Sequence, residues 1–528
     1  MAFTALSPDF SIAPQLGLAD VQVAASAGFR TLICTRPDDE EPGQPAAAEI
    51  RAAAEALGLA FVHIPVTPGL MLDADARQLR AVLDRTPGPF LGYCRSGARA
   101  ARLRDMALAL PAPSGTPRTY DVVIVGGGSA GIATASSLLK RNRQISIAVI
   151  DPAELHYYQP GWTMVGAGVF RPEFTRHTMA SVMPRGVDWI RQSVTGFAPE
   201  DNEVFLADGS RIAYRTLVAA PGVKLDWGAI PGLAETLGQN GVTSNYRYDL
   251  APYTRDLVGA LKGGRALFTQ PPMPIKCAGA PQKAMYLSCD RWARAGVLGQ
   301  VGVEFHNAGA VLFGVADYVP ALMDYVRRYG IDLNLESRLV GIDGPARVAL
   351  FERKNAAGAV ERVERRFDML HAVPPQVAPD FVRNSPLADA SGFIAVDPAT
   401  LRHPVYANVF ALGDACATSN AKTAAAARKQ APVVAVNVLA ALDGRDPVVG
   451  YDGYGSCPLT VERGKIVLAE FGYGGKLLPS FPRWMLDGRK PTRRAWFLKD
   501  RMLPPIYWQG MLKGREWMAA PIPLDQLK

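Results

Sequence analysis

No stretch of this 528-residue chain reaches the ~18 uninterrupted apolar residues that a membrane span requires. The start, Met1-Ala2-Phe3-Thr4, has neither a basic flank nor an apolar core, so no secretory signal peptide is expected. Six cysteines are too few for a disulfide scaffold in so long a chain. They fit a reducing compartment, where disulfides that persist tend to be catalytic. Zinc-finger spacing, a basic helix and a single-strand-binding signature are all missing, so nucleic acid is not an expected partner and no metal site is expected. The 50 glycines and 42 prolines are scattered, without repeat or low-complexity tract. What remains is a globular composition, 48% apolar and 20% charged, long enough for two or three domains. The net charge of +8 suits an ordinary soluble protein or one drawn to an anionic membrane surface.

The pattern of the chain predicts an α/β protein. Residues 1–112 read as a small α/β domain, with strands at 28–34, 60–66 and 89–93 and helices at 46–57, 74–84 and 98–110. The Pro/Gly/Ser-rich run from Pro111 breaks this pattern, and 113–118 reads as a linker. From 119 to about 450 strands and helices alternate, the sign of a doubly wound architecture in two Rossmann-like parts. Residues 451–528 are rich in Trp, Tyr, Met, Leu and Pro and form a separate C-terminal region.

A buried strand, Tyr120 to Val125, runs into Gly126-Gly127-Gly128-Ser129-Ala130-Gly131, and a helix follows. Glycines at Gly126, Gly128 and Gly131 let the backbone turn sharply and approach a pyrophosphate on the helix N-terminus, with Ser129 and Ala130 in the same turn. Asp151 ends the next strand about 20 residues on, where an acid grips ribose hydroxyls. Two further stretches resemble the two-dinucleotide flavoproteins. Leu217 to Gly222 is similar to their strand-turn, and Val409 to Asp414 to their second FAD motif. The resemblance implies FAD, with Gly222, Gly413, Asp414 and Lys422 as cofactor-binding residues and Asp414 on the ribityl chain. A helix from about Thr423 would then aim its N-terminus at the flavin. Relatives that use NAD(P)H carry another glycine fingerprint in the inserted domain; Gly263-Gly264-Arg265-Ala266-Leu267 lacks it, so no nicotinamide site is expected.

Cys277 sits in Pro274-Ile275-Lys276-Cys277-Ala278-Gly279-Ala280-Pro281-Gln282-Lys283. A neighbouring cation, Lys276, and a following helix N-terminus both favour the thiolate. Its redox partner has three candidates: Cys289, Cys416 and Cys457. Cys289 lies over three helical turns away, roughly 18 Å, too far to bridge. The stretch around Cys277 closely resembles sulfide:quinone oxidoreductases, particularly the branch that includes the mitochondrial enzyme. That resemblance covers residues 119–528. It places the second redox cysteine in the loop after Asp414, so Cys416 is the expected partner, one place later than is usual in the family. It assigns Cys457 a structural stretch, and it implies sulfide oxidation through a Cys277–Cys416 disulfide with electrons passed by FAD to a quinone.

Within residues 1–110, Tyr93-Cys94-Arg95-Ser96-Gly97-Ala98-Arg99 places a cysteine between strand and helix, in a loop suited to an anion. A tyrosine-phosphatase spacing would need arginine at Ala100. With Arg99 the loop is one residue shorter and resembles the rhodanese loop. The whole segment resembles phosphatase-like sulfurtransferase domains, with support from Arg36-Pro37-Asp38 and His63 to Gly69. Cys94 and Arg99 are thereby expected to transfer sulfane sulfur to a small thiol such as glutathione. From Arg493 basic residues interleave with Trp, Tyr, Phe, Met and Leu, as they do at a lipid surface. The expectation is a peripheral protein on the cytoplasmic face of a bacterial inner membrane. Two other readings compete: an NAD(P)H-dependent persulfide or CoA-disulfide reductase, and a non-catalytic persulfide sensor.

Overall fold

The computed structural model describes residues 3–67, 69, 71, 73–110, 117–354 and 358–527. The expected linker at 113–118 falls largely outside them. By contact the chain divides into two units, one of Met1–Val123, Arg191–Arg215 and Asp380–Gly392, the other of Ile124–Ile190, Thr216–Pro379 and Phe393–Lys528.

The first unit contains a five-stranded sheet in the order Thr4–Ser7, Phe10–Ala13, Phe90–Tyr93, Thr31–Cys34, Ala60–His63. The opening hairpin is antiparallel and the other pairings are parallel. Side chains alternate across this sheet. Leu32, Cys34, Leu91 and Tyr93 join one buried cluster, and Ile33 and Phe90 join another on the opposite face. Both faces are covered by helices, which is why these strands read as continuous apolar runs. The predicted helices appear as Ala47–Ala56, Asp73–Arg85 and Ala98–Ala109. The hairpin and the helix Leu18–Ser26 had no counterpart in the sequence reading.

In the second unit, the strand Arg118–Val125 leads from its last two residues through the glycine turn into helix Ser129–Arg141. Gly126 N–H donates to Ile150 O at 2.9 Å, and Ala220 N–H to Val125 O at 2.8 Å, which sets three strand ends side by side. Leu217–Ala219 pairs in parallel with Val409–Ala411. A further parallel sheet has the order Val242–Thr243, Met369–His371, Gly264–Gln270, Val301–Asn307, Asp332–Leu335. An antiparallel hairpin, Gly455–Glu462 with Lys465–Phe471, packs its apolar side into the cluster that also holds Phe268, Met285, Trp292 and Phe305.

Candidate active site

Three glycines at the first turn behave differently. A Cβ on Gly126 would lie 2.4 Å from Ala220 O, and one on Gly131 would lie 1.9 Å from Gly126 O. Only glycine lets the helix seat this closely. A Cβ on Gly128 would meet nothing within 4 Å. Open space there, at the N-terminus of a 13-residue helix, is where a pyrophosphate fits. Asp151 ends the neighbouring strand and accepts from Gly127 N–H at 2.6 Å and Ala153 N–H at 2.8 Å.

The second half of the cradle is the turn at Gly413 and Asp414. Gly413 has φ +76° and donates its N–H to Gln430 Oε1 at 2.9 Å. Helix Ala424–Leu442 begins just beyond, capped by Thr423, whose hydroxyl accepts from Ala426 N–H at 3.1 Å. Lys422 Nζ donates to the carbonyls of Asp414 and Cys416 at 2.9 and 2.6 Å. It holds this turn in shape. Burial raises the Asp414 carboxyl above its ordinary range. Asp414, Lys276 and Cys277 lie deep in the fold, yet each keeps part of its surface uncovered. The open helix N-terminus at Gly128, the Asp151 strand end and the Gly413 turn fit a flavin dinucleotide.

Cys277 occupies the loop between strand Gly264–Gln270 and helix Ala280–Arg294. In a dinucleotide-binding unit this strand-to-helix turn would carry the phosphate-binding glycines. Here the backbone of Cys277 is left-handed, φ +49°, which is uncommon for a residue with a Cβ. Fixed partners hold it there. Its N–H donates to Lys422 O at 2.7 Å, and its carbonyl accepts from Ala280 N–H at 2.7 Å and Tyr246 Oη at 3.2 Å.

Cys277 Sγ lies 3.7 Å from Cys457 Sγ. The thiol beside Cys277 is thus Cys457, where the family resemblance implies Cys416. Cys416 is fully buried beyond the Asp414 turn, and burial pushes its thiol up to about 12. Cys457 stands in the strand Gly455–Glu462, opposite Ala469, and its side chain points at the Cys277 loop. Gly279 makes the approach possible, because a Cβ there would lie 3.1 Å from Cys457 Sγ and 2.4 Å from Leu459 Cδ2. Cys289 is buried in the helix, with its thiol raised by desolvation.

The cation also differs from the expected one. Lys276 Nζ turns away to Gln159 Oε1 and lies over the rings of Trp162 and Tyr246. Lys283, inside the helix, donates to Cys277 Sγ at 3.0 Å. The hydrogen bond from Cys457 and the Lys283 ammonium hold Cys277 well below the ordinary thiol range, and Cys457 is raised correspondingly. Lys283, within hydrogen-bond reach of Cys277, makes Cys277 the member of the pair that favours the thiolate. Burial alone would lower Lys283, but the thiolate outweighs it and its pKa is raised. Lys499, nearby and also buried, has no such contact and donates to Pro160 O at 2.9 Å. Desolvation, aided by Lys283, lowers it to about 7.

The tail splits in character. Tyr507, Trp508, Met511 and Leu512 are buried. Ser136 Oγ on the glycine-turn helix donates to Leu512 O at 2.8 Å, and Glu516 pairs with Arg141 on the same helix. This part covers the cradle. Trp484, Phe497, Trp517 and Met518 stay exposed, Trp484 to 83%. No helix among the described residues is long and apolar enough to cross a membrane.

In the first unit, Cys94 is buried and its Sγ accepts from Gly97 N–H at 3.2 Å. The arginines expected to face an anion are engaged elsewhere. Arg99 Nη1 donates to Val66 O and Nη2 to both oxygens of Glu40, all at 2.8 Å. Arg95 pairs with Glu41 at 2.9 Å. No group of metal-ligating side chains occurs among the described residues.

A glycine cradle, an acid at the second strand and a paired thiol at the other dinucleotide turn define a flavoprotein disulfide oxidoreductase. Residues 120–258 match the family described as pyridine nucleotide-disulphide oxidoreductase, and residues 2–111 match the phosphatase-like domain of beta-lactamase hydrolase-like protein. The mitochondrial sulfide:quinone oxidoreductase of Dictyostelium discoideum is 42% identical over 397 residues, covering 75% of this chain and 86% of that protein. Its Mus musculus counterpart is 36% identical over 395 residues, covering 75% and 87%. The chain belongs to the sulfide:quinone oxidoreductase family. The solved sulfide:quinone oxidoreductase of Aquifex aeolicus shares the fold, with a TM-score of 0.63 at 18% identity over 75% of this chain and 92% of that one.

Proposed function

We propose that the chain oxidises sulfide to a persulfide at Cys277 and Cys457, with FAD as cofactor and a quinone as electron acceptor. The observation that carries this is the sulfur pair with Lys283 on Cys277, set where a nicotinamide-using relative would bind its dinucleotide. Hydrosulfide attacks the Cys277–Cys457 disulfide at Cys457. The S–S bond breaks, the electron pair leaves with Cys277 as thiolate, and Cys457 carries the new S–SH group. The direction follows from the pKa order, because the more acidic thiol is the better leaving group. Lys283 balances the charge that develops on Cys277. Lys499, poised near 7, takes up or returns a proton at neutral pH. A small thiol such as glutathione takes the outer sulfur and leaves Cys457 as a thiolate. Closing the Cys277–Cys457 disulfide again releases two electrons, which a bound flavin would accept and pass to the quinone.

The exposed Trp484, Phe497, Trp517 and Met518, among basic residues, support peripheral attachment to the cytoplasmic face of an inner membrane, where the quinone resides. Cys94 is assigned to sulfur transfer: its thiolate attacks the outer sulfur of a persulfide, R–S⁻ leaves, and Cys94–S–SH passes that sulfur to a second thiol. The likeness of residues 2–111 to the phosphatase-like domain and the short Cys94–Arg99 spacing support it.

An anaerobic sulfide titration, with peptide mapping of persulfides, tests the central claim. Flavin bleaching should accompany sulfur on Cys457, and a soluble quinone should restore the colour. Bleaching by NADH without sulfide would favour the nicotinamide-dependent reductase. Failure of a quinone to restore colour would favour the sensor. Replacing Trp484 and Phe497 by Ser should weaken binding to anionic vesicles by about a hundredfold or more, since each buried large side chain contributes about 1.5–3 kcal/mol; unchanged partition would refute the membrane assignment.

A further inference from the structure

The Cys94 loop has the residue types of an oxyanion site, but its guanidinium groups already hold an anion supplied by the chain. Glu40 Oε2 accepts from Arg36 Nε and from Arg99 Nη2, and Glu40 Oε1 accepts from Arg99 Nη2. Arg36 is buried, and its remaining nitrogens face Gln15 Oε1 at 3.0 Å and Glu41 Oε2 at 2.9 Å. A carboxylate bridging two guanidiniums uses the planar fork that would otherwise take phosphate or sulfate.

The segment that carries Glu40 is pinned at several points. Asp38 Oδ1 accepts from Ala47 N–H at 2.7 Å, and Glu49 Oε2 from Ala46 N–H at 3.1 Å. Gln44 Nε2 donates to Pro37 O at 2.7 Å, and His63 Nε2 lies 2.8 Å from Arg36 O. Glu40 is therefore a fixture of the loop. Cys94 keeps a backbone donor, Gly97 N–H, on its sulfur.

We propose that Glu40 is a built-in counter-anion that sets the specificity of the Cys94 site, excluding multiply charged oxyanions while leaving the Cys94 sulfur its own backbone donor, Gly97 N–H. A phosphate or sulfate approaching Arg99 meets a like charge and finds its donors taken. A persulfide delivers one sulfur atom, which needs no arginine fork. This deepens the sulfur-transfer reading of Cys94 and rests on it for the identity of the accepted species. The exclusion of oxyanions stands or falls by itself.

Inorganic phosphate is the probe, measured by equilibrium dialysis against the full-length holoprotein. The native chain should show no saturable phosphate binding that depends on Arg99. Glu40→Ala should gain one phosphate site per chain, at least tenfold tighter than any in the native protein, and Glu40→Ala with Arg99→Leu should lose it. Circular dichroism and thermal denaturation report that the unit carrying Glu40 stays folded in each variant, and sulfide-driven flavin bleaching reports the same for the other unit. Should Glu40→Ala not fold, Glu40→Gln keeps the shape, removes the charge and should gain the same site. Arg99-dependent phosphate binding by the native chain, or no gain in a folded Glu40 variant, would overturn the proposal. Absence of thiol-to-thiol sulfur transfer by native Cys94, alongside the expected phosphate results, would remove the sulfur-transfer reading and leave the exclusion in place.

Discussion

Cys277 and Cys94 are both placed between a strand and a helix, and both have cationic side chains in their loops. Their cations are used in opposite ways. At Cys277 the ammonium of Lys283 touches the sulfur, and no carboxylate is among the groups that dominate its titration. At Cys94 the arginines are matched with Glu40 and Glu41, and the sulfur receives only a backbone N–H. A basic residue near a cysteine in sequence thus says little about thiolate stabilisation. What matters is whether the cation has been spent on another anion. Lys276 adds a second point within one loop: adjacent in sequence, its ammonium is directed to a neutral amide, Gln159, and to two aromatic rings, while Lys283 makes the hydrogen bond to the sulfur.

The largest effect that could break this comparison is removal of either paired sulfur. Cys277→Ser and Cys457→Ser should each slow sulfide-driven flavin bleaching by about a thousandfold or more, as expected when a covalent route is lost. Cys416→Ser should stay within about fivefold, because its raised, buried thiol is chemically quiet. Stopped-flow bleaching that ranks Cys416 above Cys457 would show the pairing to be wrong.

Lys283→Met comes next. The folded pKa of Cys277 is depressed, so its thiolate is populated above that pKa and lost as pH falls through it. Without the ammonium one cause of that depression is lost, the pKa rises and the thiolate fraction at neutral pH falls. Thiolate-dependent reoxidation of the pair should then slow by about 10- to 100-fold. The rate should recover as pH is raised. A pH profile unmoved by the substitution would contradict the charge assignment. Gly279→Ala should act through shape. Its Cβ would wedge against Leu459 and Cys457, with a cost of about 1–3 kcal/mol typical of overpacking. Thermal denaturation and bleaching should both decline, the latter about tenfold.

The smallest effect is the sharpest contrast. Cys94→Ser should leave flavin bleaching within about twofold while sulfur transfer from a persulfide to glutathione collapses, since no part of the Cys277 site uses Cys94. A parallel loss of bleaching would show that the two thiols work as one site.

The glycine turn, Asp151 and the Asp414 turn were legible because each is a local pattern: strand, tight turn, helix, within a few residues. The strands of the first unit were legible for a related reason, since burial on both faces leaves an uninterrupted apolar run. Cys457 was not, because its approach to Cys277 joins residues 180 apart in sequence through the packing of a hairpin against a helix. The family resemblance pointed instead to the loop after Asp414, where Cys416 is displaced by one residue and buried. Lys499 and Glu40 were missed because a charge run reads as solvated surface until its partners are known. The tail misled in part: Tyr507 and Trp508 share the composition of the exposed Trp484 and Phe497 but are buried near the glycine cradle.

The two partner sulfurs are mounted on supports of unequal stiffness. Cys457 belongs to a hairpin ladder whose neighbour Glu470 is clamped by Tyr454, Tyr318 and Ser480. Cys277 hangs on a loop held in a left-handed turn by a few hydrogen bonds. One behaves as an anvil and the other as a sprung hammer. Whatever travel the making and breaking of the sulfur–sulfur bond demands falls on the hammer, and the tension of that loop becomes a setting for how fast the pair can cycle.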